Sequence, residues 1–422
     1  MHAGHRHLAG GSVMGVLSGM RVVEGSAFVA VPLAGLTLAQ MGAEVIRFDR
    51  LEGGLDAGRW PLAPSGRSLF WSGLNKGKKS VAVDMKSDVG RELITRIVTA
   101  PGEDAGLFIT NLRVRGWMDH ATLSQHRPDL ISVTLSGDRH GRPAVDYTVN
   151  PALGIPDITG PETHDGPIAS ALPAWDLIAG QMVASSLLAA ERQRLRQGTG
   201  QAVDLTLKDV AAAMVGHLGM IGDAAVNETP RSKAGNALYG AFGDAFLCAC
   251  GRRVMVIGLT DRQWRGLVKI TGMAEVMTAL EARQQVDLRD EGVRWRMRHV
   301  LAATFAPWFA DRRVDEFADS FDQAGLTWSV FRTMREALAA EPDLRAANPM
   351  FARRDPPGLG RFPVPGSPVE FAAHARSAPQ AAPVLGQDTE EVLSEVAGLD
   401  GMEIARLYDA GVVDGPRRRS AA

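Results

Sequence analysis

Residues 20–50 read M-R-V-V-E-G-S-A-F-V-A-V-P-L-A-G-L-T-L-A-Q-M-G-A-E-V-I-R-F-D-R. Met20–Glu24 is a short run with two adjacent valines and predicts a buried strand. From Pro32 to Met41, Leu33, Leu36, Leu38 and Met41 fall near one face of a helical period, so a helix is expected there. Gly42 closes it, and Glu44–Phe48 is the next strand. Strand, helix and strand in so few residues make a β-α-β unit, the building block of a parallel sheet.

The alternation continues outward. Ser80–Asp84 predicts a strand, and Lys86–Thr99 a helix carrying Leu93, Ile94 and Ile97. Leu107–Thr110, Leu130–Leu135 and Gln201–Leu207 predict further strands. The fold class is therefore α/β, Rossmann-like, with helices on both faces of a parallel sheet. Ligands of such sheets bind beyond the carboxyl ends of the strands, which directs attention to the segments after Phe48, Asp84 and Thr110. Pro143–Pro173 is rich in Gly, Pro and Asp and reads as an irregular loop. An alanine-rich helix is expected from Ala174 to about Arg196, ended by Gly198 and Gly200, and another from Asp209 to about Met220. The domain reading is a large α/β domain over 17–230, completed by 345–422, and a smaller α+β domain over 231–344. Residues 1–16, with His2, His5 and His7, read as a disordered extension, and the tail from Gly415 as frayed.

The chain carries 46 basic and 48 acidic side chains, a formal net charge of -2. That balance gives no reason to expect a nucleic-acid partner. No apolar run approaches the roughly 18 residues of a membrane span, so no membrane partner is expected. Two cysteines, Cys248 and Cys250, are too few for a disulfide framework or a four-thiolate metal site, and a reducing cytoplasm is the simplest setting. No metal or redox cofactor is expected.

Asp176 stands at the start of the long helix, in P-A-W-D-L. The ordinary reading is a helix cap, since free amides and the helix dipole favour an anion there. A carboxylate can also attack an acyl carbon and form a mixed anhydride. Ala174, Ala179 and Gly180 nearby would let a substrate approach the backbone.

Seven ordered segments now carry a resemblance. L-S-G-M-R-V-V-E-G, G-A-E-V-I-R-F-D-R, L-N-K-G-K-K-S-V-A-V-D-M-K and F-I-T-N-L-R-V-R-G-W are followed by D-L-I-S-V-T-L-S-G, L-P-A-W-D and the segment from Leu187 to Val210. In this order the chain resembles the family III CoA-transferases (CaiB/BaiF type), from about Leu17 to the C-terminus. The resemblance implies an acyl-CoA substrate and an interlocked homodimer. It also implies that Asp176 forms the acyl anhydride and an aspartyl-CoA thioester. Coenzyme A then belongs to the substrate rather than being a cofactor.

The CoA-binding candidates are Arg47, Asn75, Lys76, Lys79, Asn111, Arg113, Arg115, Asp146 and Tyr147. The cations among them suit phosphates, and each alone also reads as a solvated charge. Backbone amides at the helix start are candidates for holding an oxyanion. Gly235, Asn236, Tyr239 and Gly240, in G-N-A-L-Y-G-A-F-G, are candidates for a cover that keeps water from an anhydride, with a hairpin turn as the plainer reading. Val145 stands where racemases of the family carry a histidine, which argues for acyl transfer over proton shuttling. His217 reads as a packing residue.

Further segments, among them V-D-Y-T-V-N-P-A-L-G and H-L-G-M-I, resemble the branch of the family that acts on mesaconyl-CoA in the 3-hydroxypropionate carbon-fixation cycle. The activity this implies is intramolecular CoA transfer between the two carboxyl groups of one acid. The alternative is intermolecular transfer to a free carboxylic acid.

Overall fold

A computed structural model describes residues 15–113, 115–228, 231–345 and 347–416. The histidine tract and residues 417–422 lie outside the described residues, as do the expectations placed on them. The chain divides into two compact units. The first holds the chain up to Leu153, Leu172–Leu218 and the chain from Glu341; the second holds Gly154–Ala171 and Gly219–Ala340.

The first unit is built on a seven-stranded sheet. Its strands are β1 (Arg21–Gly25), β2 (Glu44–Asp49), β3 (Lys79–Val83), β4 (Leu107–Thr110), β5 (Ile131–Ser136) and β6 (Gln201–Thr206), with a terminal strand Val413–Asp414. The order is terminal strand, β3, β2, β1, β4, β5, β6. All pairings are parallel except the terminal strand on β3. Connections therefore leave β1 in both directions, and a crevice opens where the order reverses, beyond the carboxyl ends of β1 and β4. The central strands read as unbroken apolar runs because both faces are covered. Val23, Ile46, Phe48, Val81, Val83 and Phe108 bury against Leu93, Ile94 and Ile97 on one face.

The helices of this unit are α1 (Ala30–Gln40), α2 (Leu69–Leu74), α3 (Asp88–Val98), α4 (His120–His126), α5 (Asp146–Ala152), α6 (Ala174–Gln197) and α7 (Leu207–His217), and after them Thr389–Glu395 and Gly401–Asp409. Ser87 caps α3 through the Gly90 amide, and Thr206 caps α7 through the Asp209 amide. α1 and α6 meet backbone to backbone: a Cβ on Gly180 would lie 2.5 Å from the Ala30 carbonyl oxygen.

Three expectations need correction. Pro143–Pro173 is not structureless, since α5 and a 3-10 turn at Ile155–Ile158 fall inside it. Thr148 holds the start of α5 by bonding Val145 in both directions, a local cap that composition conceals. The helix expected to run to Met220 stops at His217, because Gly219 takes φ 76°. A separate short helix, Met220–Val226, follows in the second unit. Among the described residues no single helix is long and apolar enough to cross a membrane. The second unit also takes in 154–171 and 219–230, which the sequence grouped with the large domain. One reason is that Gly160 accepts the Gly235 amide at 2.9 Å.

The second unit has a three-stranded antiparallel sheet, Phe242–Leu247, Arg253–Gly258 and Thr327–Val330. Its core is aromatic: Phe242, Phe246, Phe305, Phe309, Phe317 and Phe321 are buried together. Phe246 and Phe309 stack with centroids 4.4 Å apart.

Candidate active site

Asp176 lies in the first turn of α6. Pro173 precedes the helix and supplies no side-chain cap. The capping comes from elsewhere: Asp146, at the start of α5, accepts the Trp175 amide at 2.8 Å and the Asp176 amide at 3.3 Å. The Trp175 indole donates to Asn150 Oδ1 at 3.1 Å, so α5 is tied to the start of α6 at two points. Asp176 is thereby relieved of capping. Its own carboxylate has no hydrogen-bond or ion-pair partner among the described residues.

Burial, and then the neighbouring Asp146 carboxylate, push the Asp176 carboxyl up to about 6. Burial likewise raises Asp146, against the two amides that lower it. An unpartnered, partly desolvated carboxylate is a better nucleophile than a solvated one, and Asp176 is that group. The amides of Trp175 and Asp176, expected to hold an oxyanion, are already engaged by Asp146.

Just past the carboxyl end of β1, side-chain bonds converge on one turn, Ser26–Val29. Asn111, next after β4, accepts the Ala27 amide at 2.9 Å and donates to the Ala27 carbonyl at 2.8 Å. Asp56 accepts the Phe28 amide at 3.0 Å. Arg47 donates to the Ser26 carbonyl at 3.1 Å.

Arg47 is 1% exposed, and its donors are spent on Asp49, Asn75, Asp56 and that carbonyl. Burial works to lower the guanidinium, but Asp49, Asp56 and Glu24 together carry it above its ordinary value. Asn75 is fully buried, accepting from Arg47 and Lys78 and donating to the Trp71 carbonyl. Neither side chain faces solvent.

The other candidates separate by location. Arg113 and Arg115 are exposed just beyond β4, at the carboxyl edge. Asp146 is a cap for α6, and Tyr147 beside it is 55% exposed. Lys76 is buried without a partner among the described residues, and burial lowers its ammonium to about 8. Lys79 is not at the carboxyl edge where CoA phosphates are expected. It opens β3 and so stands at the amino edge, paired with Glu44 and Glu391 at 2.7 Å each. His217 is exposed at the last turn of α7 and is not a packing residue.

Two cations at the carboxyl edge escaped the sequence reading. Arg50 directly follows β2, half-exposed beside Glu52, and Lys86 follows β3, exposed. The available signal was position: each is a basic residue just past a strand's carboxyl end.

In the second unit, Gly235 (φ 60°) and Gly240 (φ 82°) take left-handed backbone. Asn236 is exposed. The Leu238 amide bonds the Gly243 carbonyl at 2.9 Å, so the loop is a turn leading into Phe242–Leu247 and not a two-strand hairpin. Tyr239 is clasped between Arg231, 3.6 Å above its ring, and Trp295, 4.9 Å away.

Residues 17–389 match the family described as CoA-transferase family III. The chain belongs to that family. A family III relative, the 2-methylfumaryl-CoA isomerase of Chloroflexus aurantiacus, is 53% identical over 96% of this chain and 99% of its own length. The succinyl-CoA:mesaconate CoA-transferase of Haloarcula marismortui is 27% identical, covering 92% of this chain and 98% of that protein. In fold, a CAIB/BAIF family protein from Brucella suis superposes with a TM-score of 0.74 at 23% identity, over 91% of this chain and 100% of that one.

Proposed function

We propose that this family III enzyme moves CoA between the two carboxyl groups of mesaconyl-CoA, converting 2-methylfumaryl-CoA to 3-methylfumaryl-CoA. The observation that carries this is the unpartnered Asp176 carboxylate, freed from capping by Asp146, in a chain 53% identical to an isomerase of that substrate.

The Asp176 carboxylate attacks the thioester carbonyl, and the CoA thiolate leaves from the tetrahedral adduct. An aspartyl-mesaconyl anhydride remains. The thiolate attacks the aspartyl carbonyl, releasing mesaconate carboxylate and leaving an aspartyl-CoA thioester. Mesaconate presents its other carboxylate to that thioester, expelling the thiolate and forming the second anhydride. The thiolate then attacks the mesaconyl carbonyl, giving the isomeric thioester and the free Asp176 carboxylate. No proton or electron is consumed overall. Arg50, Lys86, Arg113 and Arg115 hold the CoA phosphates at the carboxyl edge. An interlocked homodimer in the cytoplasm, serving the 3-hydroxypropionate cycle, completes this reading.

The test is a mixing experiment with labelled free mesaconate and unlabelled mesaconyl-CoA. Isomerisation should outrun entry of label into the thioester pool by at least about tenfold. Label entering as fast as isomerisation would show the intermolecular reaction instead. Hydroxylamine with substrate should leave a hydroxamate at position 176.

A further inference from the structure

Arg47 and Asp56 sit in a cluster of five charged side chains, each no more than 4% exposed. Glu24, Asp49 and Asp56 face Arg47 and Lys78, with Asn75 and Ser26 between them. Gly54 lies against the cluster so closely that a Cβ there would stand 2.8 Å from Asp56 Oδ1 and 3.0 Å from an Arg47 nitrogen. On the opposite side, a Cβ on Gly35 of α1 would overlap Glu24. The cluster holds the Ser26–Val29 turn through the Ser26 carbonyl and the Phe28 amide, and Lys78 also donates to the Pro32 carbonyl in the first turn of α1 at 2.8 Å.

Phe28 takes φ 66°, a conformation unfavourable for a residue with a side chain. Phe28 is 39% exposed, with the Arg59 guanidinium 5.8 Å over its ring, so no burial in the core compels this backbone. The amide bond to Asp56 and the Asn111 bonds to Ala27 are what the turn has instead. Two residues later comes Ala30, whose carbonyl abuts Gly180 of α6, one helical turn beyond Asp176. A change in the turn is thereby delivered to the segment that carries the nucleophile.

We propose that Asp56 and Arg47 are positioning residues, which lock the Ser26–Val29 turn in its left-handed form and so fix the start of α1 against the Asp176 turn of α6. In this role Arg47 does not touch CoA. The proposal rests on the reading of Asp176 as nucleophile but not on the identity of the acyl group.

The experiment combines Asp56→Ala, Asp56→Asn, Arg47→Lys and Phe28→Gly, read by steady-state kinetics, free-CoA binding and amide exchange of the peptide covering 26–30. Asp56→Ala should lower kcat by about ten- to a hundredfold and hold the Kd for CoA within about threefold. The 26–30 peptide should exchange faster. Glycine adopts positive φ readily, so Asp56→Ala should cost at least about fivefold less in a Phe28→Gly background. Asp56→Asn keeps the amide acceptor and should fall between parent and Ala. If Asp56→Ala does not fold, Asp56→Asn and Arg47→Lys carry the same measurements. A tenfold rise in Kd for CoA in Arg47→Lys with kcat intact would make Arg47 a direct ligand and overturn the proposal. So would losses that simply multiply in the double variant, or unchanged exchange at 26–30. Exchange and CoA binding report even if mesaconyl-CoA proves to be the wrong substrate, so the two failures are separable.

Discussion

Two carboxylates meet at the start of α6 with different duties. Asp146 spends its Oδ2 on two amides, and Asp176 keeps its own oxygens unspent. The attack proposed for Asp176 requires its ionised form, and its carboxyl is raised to about 6 by burial and by Asp146. The sign follows directly: below that value the nucleophile is protonated, and above it the carboxylate is fully present. The kcat/KM profile should therefore climb with pH, pass half-maximum near 6 and level off above 7. One unit below the midpoint the rate should be down about tenfold. Asp146→Asn keeps an acceptor for the two amides and removes the like charge, the second cause of the shift. Its acid limb should move to lower pH, with the plateau rate reduced. An unmoved limb would mean that burial alone sets the Asp176 carboxyl.

At the scale of elements, the decisive contact is α1 on α6. An alanine in a helix is ordinarily better than a glycine by about 1 kcal/mol. At Gly180 the added methyl would come 2.5 Å from the Ala30 carbonyl oxygen, and against backbone it cannot yield cheaply. Overpacking of this kind costs about 1–3 kcal/mol, so the clash outweighs the propensity. Gly180→Ala should lower the thermal midpoint and cut kcat more than it raises KM. These helices and most strands were legible because apolar period and glycine stops are local signals. β4 falls at Leu107–Thr110, as its apolar run implies, and α6 begins at Ala174. What escaped was long-range. Nothing near Asp176 announces that Asp146, thirty positions earlier, caps its helix. Arg47 was read as a ligand because it is a cation in a strand ending at the carboxyl edge. Side chains alternate along a strand, and that alternation turns Arg47 inward to Asp49 and Asp56. Arg50, past the end of β2, escapes that constraint.

At the scale of the whole molecule, a net charge of -2 hides a polarity in how charge is distributed over the sheet of the first unit. At the amino edge, Lys79 is neutralised by Glu44 and Glu391, and Arg21 pairs with Glu44 at 2.6 Å. Past the carboxyl ends of β2, β3 and β4, Lys86, Arg113 and Arg115 are exposed and Arg50 partly so, and among the described residues Arg50 is the one of the four in an ion pair, with Glu52 at 3.6 Å. On the proposed reading, a polyanion such as the CoA nucleotide is drawn to the second edge and not to the first. Contacts of this exposed kind are worth roughly 1 kcal/mol each. Arg113→Gln, Arg115→Gln and Lys86→Gln should then each raise KM for the acyl-CoA about three- to tenfold, with kcat changed less than twofold. Lys79→Gln, which removes as much charge from the other edge, should leave KM unmoved. Raising the ionic strength toward 0.5 M should raise the parent's KM and shrink the difference between parent and edge variants, because screening weakens the same attraction. Equal effects of Lys79→Gln and Arg113→Gln would mean that net charge, not its placement at the strand ends, brings the substrate in.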